Sequence, residues 1–229
     1  MSPLEEENLR RPIWTALATR HAHLAEGGAG ARRYPADISP FAASGDDCAE
    51  SLAALERLCR LGERMVFLQR DPVALPEGFA VALEADGVQM VGEGPFPRIE
   101  DARIVPLGPD DAEAMLALAE LTKPGPFSLK AQRLGRFWGV KENGRLIAMA
   151  GERLKLPGMT ELSGLCTRPE VQGRGLGRLL LAFVAGEIVA RGERVFLHAF
   201  ASNENAIRLY ETAGFRLHTH LHVVMAEKA

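Results

Sequence analysis

The chain has 229 residues, 47% of them hydrophobic, and a formal net charge of −3. That is enough for a full core in one large or two small domains, and the charge gives no reason to expect a nucleic-acid partner. No apolar run approaches the roughly 20 residues of a membrane helix, and the opening Ser2-Pro3-Leu4-Glu5-Glu6-Glu7 is unlike a signal peptide. Cys48, Cys59 and Cys166 are too few and too scattered for a disulfide framework or a zinc site, so the expectation is a soluble cytoplasmic protein without a metal.

Leu9 to Glu26 reads as a helix with Ile13, Leu17 and Leu24 on one face and Pro12 near its start, ended by Gly27-Gly28-Ala29-Gly30. His21 and His23 lie two apart and do not share a helix face, so their spacing argues against a ligand pair. Asp47 with Glu50 resembles a capping box for a helix that turns Leu52, Leu55, Leu58 and Cys59 inward and stops near Gly62. Met65 to Gln69 is a short strand. Phe79, Val81, Leu83 and then Val88, Met90 alternate around Asp86-Gly87, which suggests a β-hairpin. Gly92 to Asp101, with two prolines and two glycines, reads as a linker. No catalytic constellation precedes residue 100.

After the linker, Ile104, Val105 and Leu107 suggest a strand, and Gly108-Pro109-Asp110-Asp111 stops it and caps a helix to about Leu121. Lys123-Pro124-Gly125-Pro126 breaks that helix, and Phe127 to Leu134 suggests a second short one. Phe137 to Val140 and Leu146 to Leu154 flank Asn143-Gly144, a strong hairpin signal. Leu156-Pro157-Gly158 turns into the strand Thr160 to Thr167, inside which Gly164 marks a bulge. A helix from about Leu176 to Ala190 follows, its stripe made of Leu176, Leu179, Leu180, Phe183, Val184 and Ile188, and then the strand Val195 to Phe200.

Between strand and helix lies Val171-Gln172-Gly173-Arg174-Gly175-Leu176-Gly177-Arg178. Glycines let a ligand approach the backbone. A loop opening directly into a helix aims free N–H groups and the positive end of the helix dipole at one point. With Arg174 and Arg178 this is an anion site suited to a phosphate group. A Walker loop would need Lys-Ser or Lys-Thr after the glycines, and a dinucleotide fingerprint would need Gly-x-Gly-x-x-Gly with a carboxylate ending the next strand; neither is present.

Gln172-Gly173-Arg174-Gly175-Leu176-Gly177 does fit [Gln/Arg]-x-x-Gly-x-[Gly/Ala], and so resembles the pyrophosphate loop of the GNAT superfamily of acyl-CoA-dependent N-acetyltransferases. Downstream, Asn203-Glu204-Asn205-Ala206-Ile207-Arg208-Leu209-Tyr210-Glu211-Thr212-Ala213-Gly214-Phe215 is similar to that family's second block. The resemblance covers about residues 102–229. It implies an α/β (α+β) fold with a mixed, twisted sheet flanked by helices, its central parallel pair being Thr160 to Thr167 and Val195 to Phe200. Residues 1–98 would form an N-terminal α/β extension, whose element order loosely echoes the family's own opening elements without a motif to support a second copy.

The resemblance further implies acetyl-CoA as cosubstrate and an amine acceptor, with neither nucleic acid nor membrane as partner and a homodimer left open. Gln172, Gly173, Arg174, Gly175, Leu176, Gly177 and Arg178 would hold the pyrophosphate, with Asn203 and Asn205 also on the cofactor side. Leu165, Cys166 and Thr167 would offer main-chain groups to the pantetheine arm where two parallel strands part. Acetyl transfer needs a neutral amine, hydrogen-bond donors for the thioester oxygen and a proton for the departing thiolate. Tyr210, seven residues after Asn203, would supply that proton.

The base has two candidates besides water: Glu161, matching a glutamate position of some family members, and His198, where others carry a glutamate. Glu161 is favoured by position, and as a base it needs an apolar setting that raises its pKa. Cys166 has no histidine at a telling spacing and reads as packing. His218, His220 and His222 alternate on the last strand, a wet face or acceptor lining. Against the enzyme stands a non-catalytic acyl-CoA-binding or regulatory module, and also a purely structural partner domain; retention of Tyr210 and Asn203 speaks against the first.

Overall fold

The computed structural model describes residues 1–229. Proline divides the first helical stretch. Pro12 lacks an N–H and pushes the preceding residue out of the helical region, and Arg11 indeed sits at φ −127°, ψ 70°. The single helix expected over Leu9 to Glu26 is therefore two, α1 (Pro3–Arg10) and α2 (Pro12–Ala18), followed by a 3₁₀ turn at Ala22–Leu24. Short strands β1 (Glu26–Gly27), β2 (Ala31–Arg33) and β3 (Ala42–Ser44) form a small antiparallel sheet. Helix α3 (Ala49–Leu58) starts one residue later than its capping signal suggests: Cys48 is the N-cap, accepting from the Ser51 N–H, while Asp47 is drawn away to Arg11 at 2.6 Å.

Strand β4 (Arg64–Gln69) precedes β5 (Phe79–Gly92), which is one unbroken strand of 14 residues through Asp86-Gly87 and not a hairpin. The turn signal is overridden because β5 finds partners on both edges. Val88 to Gly92 also contribute to a register that no two-residue loop would permit. Gly87 serves close packing instead: a Cβ there would lie 3.1 Å from Val223 and 3.4 Å from the Ala199 carbonyl.

The second half follows its expected order: β6 (Ile104–Leu107), α4 (Ala112–Thr122), β7 (Phe137–Glu142), β8 (Arg145–Leu156), β9 (Met159–Thr167), α5 (Leu176–Val189), β10 (Arg194–Phe200), α6 (Glu204–Thr212) and β11 (Phe215–Lys228). The β7–β8 turn has Asn143 at φ 50° and Gly144 at φ 78°, as a tight hairpin requires. The expected helix over Phe127 to Leu134 is only a 3₁₀ turn at Ala131–Arg133.

Eight strands form one sheet in the order β4-β11-β5-β10-β9-β8-β7-β6. Its only parallel neighbours are β9 and β10. Strand β5 thus lies between β10 and β11, and residues of both halves share one core: Leu9, Ile13, Leu17 and Phe41 pack with Leu154, Met159, Phe196 and Leu221. On the opposite face α5 and α6 cover Val88, Met90, Leu162 and Leu197. Within α5 the buried stripe is Leu176, Leu180, Leu181, Val184 and Ile188, while Leu179 and Phe183 are only half-buried.

Cutting the backbone between Glu93 and Asp101 should therefore leave the two pieces associated, because β5 is hydrogen-bonded along both edges. Size-exclusion chromatography of a protein nicked there should show a single species. A separately eluting, folded N-terminal fragment would contradict this integration.

Candidate active site

Strands β9 and β10 pair only over Met159 to Glu161 and Arg194 to Phe196. Beyond that they part, β9 staying with β8 and β10 with β5. Gly164 stands at φ 64° in the irregular stretch of β9, where its pairing with β8 jumps from Ser163 to Cys166, so the expected bulge is present. The parting leaves Leu165, Cys166 and Thr167 alongside an opening in the sheet. Burial pushes the Cys166 thiol up to about 11, so it stays protonated and unreactive at neutral pH.

Thr167 leads to the glycine loop, and the Gln172 Nε2 donates to the Thr167 carbonyl at 3.4 Å. Gly173 and Gly175 take left-handed φ values of 80° and 78°, and a Cβ on either would meet nothing within 4 Å. No N–H from Gly173 to Arg178 reaches a backbone carbonyl; the first such bond is Leu179 N–H to Gly175 carbonyl, 3.0 Å. A row of free donors faces open space at the start of a helix, which fits a pyrophosphate. Arg174 is partly neutralised by Glu142, at 3.2 Å for one of its contacts, while Arg178 is exposed. Asn203 and Asn205 are engaged locally: Asn203 Oδ1 caps α6 by accepting the Ala206 N–H at 3.2 Å, and Asn205 Oδ1 accepts from Arg208 at 3.0 Å.

Glu161 and His198 come together where the strands part. The carboxylate is fully buried and takes four hydrogen bonds. Arg153 donates through Nε to Oε2 at 2.9 Å and through Nη2 to Oε1 at 2.6 Å. The Leu154 N–H, freed by the bulge in β8, donates to Oε2 at 3.1 Å, and His198 Nδ1 donates to Oε1 at 2.7 Å. Burial alone would raise the Glu161 pKa, but the Arg153 charge and the His198 contact outweigh it and hold the carboxyl well below its usual range. The raised pKa that a glutamate base requires is absent, and its lone pairs are filled.

His198 is fixed on its other side by Gln89, directly opposite it in the β10–β5 register. Gln89 Nε2 lies 2.9 Å from His198 Nε2 and 3.2 Å from the Leu9 carbonyl at the end of α1. The Leu9 oxygen sets the orientation of the amide, since turning it would face one acceptor with another. His198 Nε2 then accepts, and Nδ1 carries the proton shared with Glu161. Neither Arg153 nor Gln89 was legible as a site residue. Arg153 reads as one charge in an alternating strand, and Gln89 lies in a segment whose sequence mimics a hairpin.

Tyr210 is on α6, packed against Phe215 with ring centroids 6.2 Å apart. Burial pushes its hydroxyl up to about 12, and the charges of Arg153 and Glu161 both reach it. Across the sheet, Arg153 and His198 line a cleft of about 640 Å³, with Arg153 stacked 4.8 Å from the centre of the Phe41 ring. The histidines of β11 are not a cluster: a register shift at Leu217/Thr219 removes His218 from the alternation, and it meets Glu6 at 3.3 Å. His21 is buried against the Tyr34 hydroxyl at 2.8 Å, away from any ligand role.

A mixed sheet flanked by helices, with one splayed parallel pair, defines the fold of an acetyltransferase, and the comparisons agree. The model for FR47-like proteins matches residues 138–224. A structure from Novosphingobium aromaticivorans, described as an acetyltransferase of the GNAT family, is 39% identical, covers 96% of this chain and 98% of its own, and superposes with a TM-score of 0.90. A GCN5-related N-acetyltransferase from Kribbella flavida shares the fold at a TM-score of 0.61 and 15% identity, over 95% of this chain and 96% of its own. The ribosomal protein bS18-alanine N-acetyltransferase of Escherichia coli is 39% identical over 77 residues, 33% of this chain. The match spans about half of that curated relative, 51% of its length. The chain belongs to the GNAT family. No helix is long and apolar enough to cross a membrane.

Two outcomes check this geometry. Gly175→Glu should lower acetyl-CoA affinity in calorimetry by roughly 100-fold or more, because a side chain would stand where the phosphate must approach. The left-handed strain should cost only about 1 kcal/mol, or roughly 2–4 °C of Tm; unchanged affinity would refute the cradle. Glu161→Gln should leave the partly buried Arg153 without its counter-charge and cost about 2–3 kcal/mol in chemical denaturation. Since the folded carboxyl titrates below its free value of about 4.3, this stability is complete at neutral pH and is lost as pH falls through and below that value. A loss under about 1 kcal/mol would mean that the pair is not a structural centre.

Proposed function

We propose that this protein transfers the acetyl group of acetyl-CoA to a primary amine by direct attack in a ternary complex. The observation carrying this reading is the row of unpartnered N–H groups from Gly173 to Arg178 beside the parted strands. Acetyl-CoA supplies the thioester acyl group. The loop N–H groups would bind its pyrophosphate, and Leu165 to Thr167 would border the pantetheine arm. The acceptor would enter by the cleft on the opposite face, which Arg153 and His198 line.

The amine nitrogen bonds to the acetyl carbon as the carbon–sulfur bond breaks. The sulfur receives a proton from Tyr210 Oη, which solvent restores. The amine's proton goes to water, because Glu161 has no free lone pair and His198 Nε2 is taken by Gln89. Glu161, His198 and Gln89 act by positioning. They hold Arg153 at the cleft wall.

Tyr210→Phe should lower kcat by roughly 100-fold with acetyl-CoA affinity little changed, measured as thiol release where chemistry limits the rate. Wild-type turnover in this variant would leave Tyr210 a packing residue. The pH profile tests the base. Log kcat/KM should climb with unit slope as the neutral fraction of the amine grows, up to the amine's own pKa, because Tyr210 remains protonated until about 12. A plateau at lower pH that disappears in His198→Gln would reinstate His198 as base.

A further inference from the structure

The cleft carries information about the acceptor, and the inference drawn from it rests on the acetyltransferase reading above. Its volume of about 640 Å³ suits a small molecule. Phe41 and Leu68 come from the N-terminal half, Leu83 from β5, Phe127 from the segment after α4, Phe200 from β10 and Met225 from β11. These side chains make walls that are mainly apolar, so the body of the acceptor that fits them is apolar too.

The charged groups in the lining are Arg64, Lys123, Arg153 and Glu120, with His198 beside them. Arg153 is taken up by Glu161, and Arg64 meets Glu227 at 3.5 Å. Lys123 has no carboxylate partner. It closes α4 at φ 50°, ψ 55°, a left-handed position where helices commonly place glycine because a Cβ is unfavourable there. A lysine in that conformation, followed by the Pro124-Gly125-Pro126 turn, sets a free ammonium on the rim of an apolar cleft. An acceptor with several ammonium groups would meet one free cation and one lining carboxylate, Glu120, in otherwise apolar walls. Such walls leave its further ammonium groups desolvated without partners, which selects against it.

We infer that the acceptor is a small amino-carboxylate with a large apolar side chain, its side chain against Phe41, Leu83 and Phe200 and its carboxylate at Lys123. Polyamines and aminoglycosides, with several charges and little apolar surface, fit these walls poorly. A peptide N-terminus, which lacks the adjacent carboxylate, is the weaker fit.

The experiment measures kcat/KM by thiol release, divided by the neutral fraction of each amine at the assay pH, for L-phenylalanine, L-leucine, L-alanine, L-phenylalaninamide, spermidine, kanamycin and an alanine-starting peptide. Calorimetry with acetyl-CoA alone runs beside it. Phenylalanine and leucine should lead, with about a fourfold loss for each methylene-sized reduction of the side chain. The amide should be roughly fivefold poorer than the acid. Lys123→Gly, which removes the ammonium and relieves the backbone, should erase that difference by lowering turnover of the acid alone.

Equal use of acid and amide would overturn the inference, as would a preference for spermidine, kanamycin or the peptide. So would Lys123→Gly lowering acid and amide alike, or no turnover of any apolar amino acid by a protein that binds acetyl-CoA. Failure to bind acetyl-CoA would instead remove the acetyltransferase reading itself.

Discussion

A carboxylate shut away from water is the constraint around which the centre of this molecule is arranged. Glu161 is fully buried, and an ionised group there persists only if its charge is answered and its lone pairs are filled. The answers come from three directions: Arg153 and the Leu154 N–H from one neighbouring strand, His198 from the other, and behind His198 the Gln89 amide anchored on the Leu9 carbonyl. Each partner has a geometric precondition. Leu154 can donate because β8 is irregular there, and His198 meets Gln89 because β5 lies beside β10 in that register. The ion cluster sits where β9 and β10 cease to pair, so the same contacts that satisfy the charge also fix where the sheet opens.

The features that were legible in the sequence are those whose physics is local. The glycine loop, the helix after it and the Asn143-Gly144 turn each need particular backbone angles at adjacent positions, and glycine announces them: Gly144, Gly173 and Gly175 all adopt positive φ. Gly164 likewise marked an irregular strand correctly. Apolar periodicity located α5 to within a residue, although the buried stripe is rotated towards Leu181 because the helix lies across β8, β9 and β10.

What was not legible depends on partners far away in the chain. Asp86-Gly87 carries the composition of a turn, yet β11 pairs with β5 straight through it, from Phe79 to Gly92. Two edges of hydrogen bonds outweigh a local turn preference. Asp47 was a reasonable cap until Arg11 competed for it. Gln89 shows the limit most clearly: nothing in its neighbours suggests that it faces a histidine 109 positions away. The setting of Glu161 failed for the same reason. It lies where β9 and β10 part, but the apolar surrounding that a base there needs is replaced by a cationic one, since Arg153 reaches it across a strand pair.

The two faces of the sheet divide the work along this same line. On the proposed reading the α5 face and the loop beside it would meet the cosubstrate mainly through main chain, whose geometry a short motif can encode. The cleft face is assembled from side chains of β4, β5, β10, β11 and the turn after α4, no two of which are neighbours in sequence apart from short runs. The N-terminal half contributes Phe41, Leu68 and Leu83 to that wall, and Gln89 to the centre behind it. Its place in the sheet therefore shapes the cleft wall without touching the loop. If that cleft takes the acceptor, the choice of acceptor would change through residues 40–83 while the acetyl donor stays the same, because the two would depend on different parts of the chain.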